Sequence, residues 1–126
     1  MSLQTPLGKV RGNGSAHTGT RHFWFQRLTA LALVPLTLWF VWAVVRYTGA
    51  PYAEVIAFLG HPVSGVAMLM FVLMALWHMQ LGVQMVIEDY VPHEGSKIAL
   101  LFLMNFVVLA IAITCVVAVL RMVVHS

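Results

Sequence analysis

Charged residues are scarce in this sequence of 126 amino acids, at 9% of the chain, whereas soluble domains carry about 25%. Hydrophobic residues make up 61%. This composition excludes an ordinary soluble domain and indicates a membrane protein of one domain. We therefore expect the lipid bilayer to be its main surroundings, and we expect no nucleic-acid partner.

Cysteine and acidic residues are almost absent as well. The single cysteine, Cys115, lies inside an apolar run and can form no disulfide within this chain. All four acidic residues lie at the end of an apolar run or in a connection. A proton-coupled transporter would need a carboxylate inside the membrane, so that class has little support. The apolar runs are continuous rather than alternating, which argues against a β-barrel.

Three long stretches carry no charge at all. Residues 28–45, 63–87 and 98–120 have 18, 25 and 23 residues, and a spanning helix needs about 20. We therefore predict an all-α membrane protein with three transmembrane helices, at about residues 22–47, 63–90 and 97–124. Residues 1–20, rich in glycine and basic side chains, are expected to form a flexible segment before a transmembrane domain at 21–126.

The positive charges are distributed unequally between the two sides of the membrane. The N-terminal side and the second connection, which lies on the same side after two crossings, hold five lysines and arginines, against two on the other side. This asymmetry predicts a cytoplasmic N-terminus. Three helices are few to enclose a site, so we also expect packing against a partner membrane subunit.

The second span carries an ionisable residue far from its ends. His78 precedes Tyr90 by twelve residues, or about 18 Å along a helix, and the hydrocarbon core is about 30 Å thick. An imidazole at that depth is costly and is a functional hypothesis by default. Imidazole is the usual axial ligand of a b-type haem. Gly82, one turn further on the same face, leaves room for a flat macrocycle.

A haem with two axial ligands would need a second histidine, and this chain has none at the same depth. The other five lie before the first helix, in connections or at the C-terminus: His17, His22, His61, His93 and His125. The second ligand would therefore come from a partner chain. Alternatively, His78 is a neutral side chain that hydrogen-bonds across a helix interface to Gln80 or Gln84 of a neighbouring chain.

Three polar side chains near the ends of the spans have two interpretations each. The Tyr90 phenol can donate a hydrogen bond to a quinone headgroup or belong to the interfacial aromatic belt. Asp89 can support such a site or end a solvated helix, and for Glu88 the solvated end is preferred. Arg27 can pair with lipid phosphate, or with a haem propionate or a quinone pocket.

Two motifs together resemble a known family. Arg-x-Thr-Ala occurs at 27–30, and His-x3-Gly-x3-Val-x2-Asp-Tyr occurs at 78–90. With the length, the three spans and the basic N-terminus, these motifs resemble the small cytochrome b-type membrane-anchor subunit of bacterial succinate dehydrogenase, respiratory complex II. The resemblance covers essentially the whole chain.

The resemblance implies a role for each motif residue. His78 would be an axial haem b ligand, with Gly82 giving clearance for the ring. Tyr90 would contact ubiquinone with support from Asp89, and Arg27 would lie near the haem propionates and the quinone pocket. The location implied is the bacterial inner membrane.

The resemblance also implies partners. A larger cytochrome b membrane subunit would supply the second haem ligand and part of the quinone site. An iron–sulfur subunit and a flavoprotein would hold the iron–sulfur clusters and FAD, and succinate oxidation would occur there. The alternative function is a haem-free structural anchor of a related fumarate reductase or another respiratory complex, in which His78 only packs.

Overall fold

The computed structural model describes residues 5–10 and 17–125, and nearly all of them are helical. The helices are α1 (Pro6–Val10), α2 (His17–Tyr47), α3 (Tyr52–Gly60), α4 (Pro62–Tyr90) and α5 (Glu94–His125). No strand occurs within these described ranges. The predicted all-α class is confirmed.

Three helices are long and apolar enough to cross a membrane. They cover Gly19–Tyr47, Pro62–Tyr90 and Glu94–His125, with 29, 29 and 32 residues. At about 1.5 Å per residue, each exceeds the roughly 30 Å of a hydrocarbon core. The prediction of three spanning helices is confirmed, and the cytoplasmic N-terminus stays a prediction.

Two helices begin earlier than the apolar runs indicated. α2 begins at His17 rather than near residue 22, and α5 begins at Glu94 rather than near residue 97. Glu94 lies in the first turn of α5, where the helix dipole favours negative charge, and its Oε1 lies 3.6 Å from Nζ of Lys97. Residues 1–4 and 11–16 of the predicted flexible segment lie outside the described residues, and its flexibility stays a prediction.

Prolines define both ends of α4. Pro62 occupies the first turn, where its missing N–H costs no hydrogen bond, and Nδ1 of His61 accepts a hydrogen bond from the backbone N–H of Val63 at 3.3 Å. At the other end Val91 is extended, with φ −95° and ψ 109°, because Pro92 disfavours a helical residue before it. The predicted end of this helix at Tyr90 is confirmed.

α4 is the central helix and contacts α2, α3 and α5. The Phe40 and Phe71 rings stack between α2 and α4, with centroids 4.5 Å apart. Between α4 and α5, Nε2 of Gln80 donates to Oδ1 of Asn105 at 2.6 Å. These contacts fix the position of α4 between its neighbours.

Most of the apolar surface of the chain faces outward. The buried hydrophobic residues are few: Ala43, Leu81, Ile87, Val108 and Val119. Each candidate spanning segment is 11% buried or less over its most apolar window. In a bilayer such a surface is covered by lipid or by another protein, so the internal contacts of the bundle rely on close packing and polar pairs.

Candidate functional site

A cleft of about 1040 Å³ opens along α2 and α4, and residues of both motifs line it. Arg27 of α2 and His78 and Asp89 of α4 are lining residues. The structure thus brings together three of the five predicted site residues. Two polar side chains of α2 that the sequence did not single out for this site also line the cleft, His22 and Gln26.

The imidazole of His78 is held by a residue of α2. Its Nδ1 lies 2.9 Å from Oγ1 of Thr29, a side chain that is only 3% exposed. The alternative interpretation of His78 placed its hydrogen-bond partner in a neighbouring chain, whereas Nδ1 has its partner within this chain. Gln80 is bonded to Asn105, and Gln84 donates to Glu88 on its own helix at 2.7 Å.

The second imidazole nitrogen of His78, Nε2, is not used within the described part of the chain. Among the described residues, Nε2 has no hydrogen-bond partner, and His78 lines the cleft. Within the same ranges, no group of three or more His, Cys, Asp or Glu side chains could hold a metal ion. A metal bound at His78 would therefore take its other ligands from a macrocycle or a partner chain.

The surface of α4 at Gly82 is open as well. A β-carbon at this position would lie 3.7 Å from Nε2 of Gln26, which is an ordinary van der Waals distance. Apart from the neighbouring backbone of α4 itself, no other described atom would lie within 4 Å of it. Oε1 of Gln26 is buried and has no hydrogen-bond partner among the described residues. Leaving such an acceptor unpaired costs about 1–3 kcal/mol. An open helix surface beside an unpaired buried acceptor fits a site that a further group fills.

Arg27 carries its charge into the cleft without an internal counter-ion. Its guanidinium lies 5.2 Å from the centroid of the Phe23 ring, one turn earlier in α2. Among the described residues, no carboxylate lies within salt-bridge distance of it, although Asp89 lines the same cleft. The planar guanidinium is thus available for a carboxylate or phosphate of another molecule.

Besides Gly82, Tyr90 is a predicted site residue that does not line the cleft. It ends α4, and 80% of its surface is exposed. Asp89 beside it does line the cleft. The structure therefore places the phenol at the surface of this chain, where a molecule bound to it would also contact lipid or another subunit.

Comparison with known proteins identifies the family. Residues 1–118 match the family described as succinate dehydrogenase/fumarate reductase transmembrane subunit. The chain belongs to this family. No solved structure matches it.

Individual relatives agree with this family. The chain is 34% identical over 106 residues to the succinate dehydrogenase hydrophobic membrane anchor subunit of Paracoccus denitrificans, covering 84% of this chain and 82% of the relative. It is 33% identical over 89 residues to the protein of the same description from Rickettsia bellii, covering 71% of each. It is 30% identical over 97 residues to the succinate dehydrogenase membrane anchor subunit of Reclinomonas americana, covering 75% of this chain and 81% of that protein.

The resemblance drawn from the motifs is thereby confirmed. As a member of the succinate dehydrogenase/fumarate reductase transmembrane subunits, the chain is a membrane-anchor subunit, and its three long helices are the anchor. The roles of His78, Arg27, Gly82, Asp89 and Tyr90 toward haem and quinone stay predictions.

Besides His22, sequence reasoning missed two residues of the site, Thr29 and Gln26. Thr29 was part of the Arg-x-Thr-Ala motif, and a hydroxyl at that position of a spanning helix was the available signal. Gln26 stands next to Arg27, and an amide at the start of an apolar run was an equally visible signal. Neither pattern shows which helix the side chain meets, so only the three-dimensional structure pairs them with His78 and Gly82.

Proposed function

We propose that this chain is the membrane-anchor subunit of a bacterial succinate dehydrogenase that binds haem b jointly with a larger membrane subunit and contributes to a ubiquinone site. The observation that carries the proposal is the imidazole of His78, which lines the cleft and is tied to Thr29 through Nδ1, while Nε2 has no hydrogen-bond partner among the described residues. When bound, haem b supplies a one-electron carrier. The complex would lie in the bacterial inner membrane.

Three residues of this chain would hold the haem. His78 would give Nε2 to the iron, and a histidine of the larger membrane subunit would supply the second protein ligand. Gly82 leaves the neighbouring surface of α4 open, because only Gln26 of α2 approaches it. Arg27, which has no counter-ion among the described residues, would pair with a carboxylate of the haem edge or a polar group of the quinone pocket.

Tyr90 and Asp89 would serve the quinone. The exposed phenol of Tyr90 would donate a hydrogen bond to a carbonyl oxygen of ubiquinone. Such a donor stabilises negative charge on that oxygen as electrons arrive. Asp89 lies next to Tyr90 and lines the cleft, so its carboxylate would orient the polar groups around the headgroup.

The remaining chemistry belongs to other subunits. A flavoprotein carrying FAD would oxidise succinate, and an iron–sulfur subunit would pass the electrons to the membrane. Both would dock to the membrane through this chain and its larger partner. The exposed apolar helices give this chain ample surface for the partner and for lipid.

A haem-free structural anchor is the second candidate, because the Thr29–His78 bond also satisfies a packing histidine. Reduced-minus-oxidised absorption spectra of the complex purified through this chain separate the two functions. We expect a b-type band in wild type and in the control His93→Ala, whose residue lies in the connection between α4 and α5. That band should be lost or shifted in His78→Ala. An active wild-type complex without the band would support the haem-free anchor. An unchanged band in His78→Ala would remove His78 as a haem ligand.

A further inference from the structure

The hydroxyl of Thr29 lies among three polar atoms. Its Oγ1 is 2.7 Å from the carbonyl oxygen of Phe25, 3.1 Å from that of Gln26 and 2.9 Å from Nδ1 of His78. A hydroxyl has one hydrogen to donate and two lone pairs that accept. A carbonyl oxygen can only accept. The two carbonyls and the ring nitrogen therefore compete for one hydrogen.

The two backbone carbonyls of α2 determine which atom receives the hydroxyl hydrogen. If Thr29 donated to Nδ1 of His78, its oxygen would face the Phe25 oxygen at 2.7 Å with no hydrogen between two lone pairs. If Thr29 donates to the carbonyls of its own helix, its lone pair faces Nδ1, and all the short contacts become hydrogen bonds. The second arrangement requires that Nδ1 of His78 carries the proton.

We infer that Thr29 is a positioning residue that fixes the tautomer of His78, with the proton on Nδ1 and the lone pair on Nε2. A neutral imidazole has one N–H, so a proton held at Nδ1 leaves Nε2 as the ligand atom. The inference deepens the proposed function and rests on it. Thr29 is buried, so water does not compete for the bond, and the helical backbone of α2 holds the Phe25 carbonyl in place.

This bond would affect a bound iron as well as the ring. A ligating histidine that donates its other N–H to an acceptor is oriented by it and becomes more basic. A more basic ligand stabilises oxidised iron relative to reduced iron, which lowers the midpoint potential. Loss of the Thr29 oxygen should therefore weaken haem binding and raise the potential.

Two variants of Thr29 test the inference in the intact complex. Thr29→Val keeps the shape and removes the hydroxyl, and Thr29→Ser keeps the hydroxyl. Thr114→Val is the matched control, because Oγ1 of Thr114 donates to the Ala110 carbonyl at 2.8 Å on α5 and has no histidine partner. The measurements are haem transfer to apomyoglobin, for affinity, and the midpoint potential by redox titration.

We expect Thr29→Val to bind haem about tenfold or more weakly, as for other hydrogen-bond partners of metal ligands, and to titrate at a higher potential. Thr29→Ser and Thr114→Val should match wild type in both. A Thr29→Val complex with wild-type affinity and potential would overturn the inference. If that variant does not assemble, 15N NMR of reduced, histidine-labelled wild-type complex replaces it. There, protonated Nδ1 and iron-bound Nε2 support the inference, and the opposite tautomer overturns it.

The failure of this inference differs from the failure of the proposed function. An unchanged haem band in His78→Ala removes the ligand role and the tautomer argument together. If His78→Ala loses the band but Thr29→Val leaves the haem affinity and the midpoint potential unchanged, His78 remains the ligand. Only the role of Thr29 is then removed.

Discussion

Gly65 of α4 and Val123 of α5 approach so closely that a β-carbon on the glycine would lie 2.7 Å from Cγ2 of the valine. The same β-carbon would lie 3.4 Å from the carbonyl oxygen of Leu59 and 3.6 Å from Val119. Small residues at such positions allow membrane helices to pack without side chains between their backbones. The contact between α4 and α5 therefore depends on the missing side chain.

Gly65→Ala should destabilise the complex. Overpacking costs about 1–3 kcal/mol, of which a gain of up to about 1 kcal/mol in helix propensity offsets part. The measurement is the midpoint temperature of inactivation of the purified complex. Gly95→Ala is the control, because a β-carbon there meets nothing within 4 Å. Equal midpoints for the two variants would contradict the packing argument.

Gly82→Ala should act on haem binding and leave the helix packing intact. Within this chain the new β-carbon would only contact Gln26 at an ordinary distance, so assembly should be normal. A haem ring lying on this surface would be displaced, and we expect about a tenfold loss of affinity, or about 1.4 kcal/mol. Haem content per assembled complex measures the effect. Full haem content in this variant would remove Gly82 from the proposed site.

Tyr90→Phe should slow quinone reduction without changing the haem spectrum. One neutral hydrogen bond contributes about 0.5–1.5 kcal/mol, so kcat/KM for ubiquinone should fall roughly threefold to tenfold. Tyr52→Phe is the control, because both tyrosines are 80% exposed and Tyr52 begins α3 at the opposite end of α4. An equal effect of both substitutions would mean that Tyr90 is an aromatic-belt residue.

Arg27→Gln should weaken haem binding and lower the midpoint potential, because a nearby positive charge favours reduced iron. A hydrogen bond to a charged group contributes about 1.5–3 kcal/mol, which corresponds to roughly tenfold or more in affinity. Arg46→Gln is a close control, since Arg46 also lies on α2 over an aromatic ring, 5.4 Å from the centroid of Tyr47. If both variants behave like wild type, Arg27 pairs with lipid phosphate.

The spans could be predicted because they depend on local composition. A charge-free run of about 20 residues needs no knowledge of its neighbours to be assigned to a membrane. Pro92 likewise ended α4 at Tyr90, because a proline restricts the residue before it. The early starts of α2 at His17 and α5 at Glu94 were missed, since polar residues that extend a helix beyond the hydrocarbon leave no apolar pattern.

The partner of His78 could not be predicted in the same way. Thr29 lies 49 residues earlier in the chain, and their contact depends on how α2 is rotated and shifted against α4. The sequence pattern of either helix alone does not determine how it is rotated against the other. The bond between Gln80 of α4 and Asn105 of α5 likewise depends on the relative rotation of two helices.

Only residues 91–93 separate α4 from α5, and three extended residues reach about 10 Å, far less than the thickness of a bilayer. The end of α4 and the start of α5 must therefore lie at the same membrane surface, so the two helices form an antiparallel hairpin. The imidazole of His78 on α4 meets its hydroxyl partner on α2 only when both helices are present, so no haem site of the proposed form could exist on a nascent chain that ends before α4.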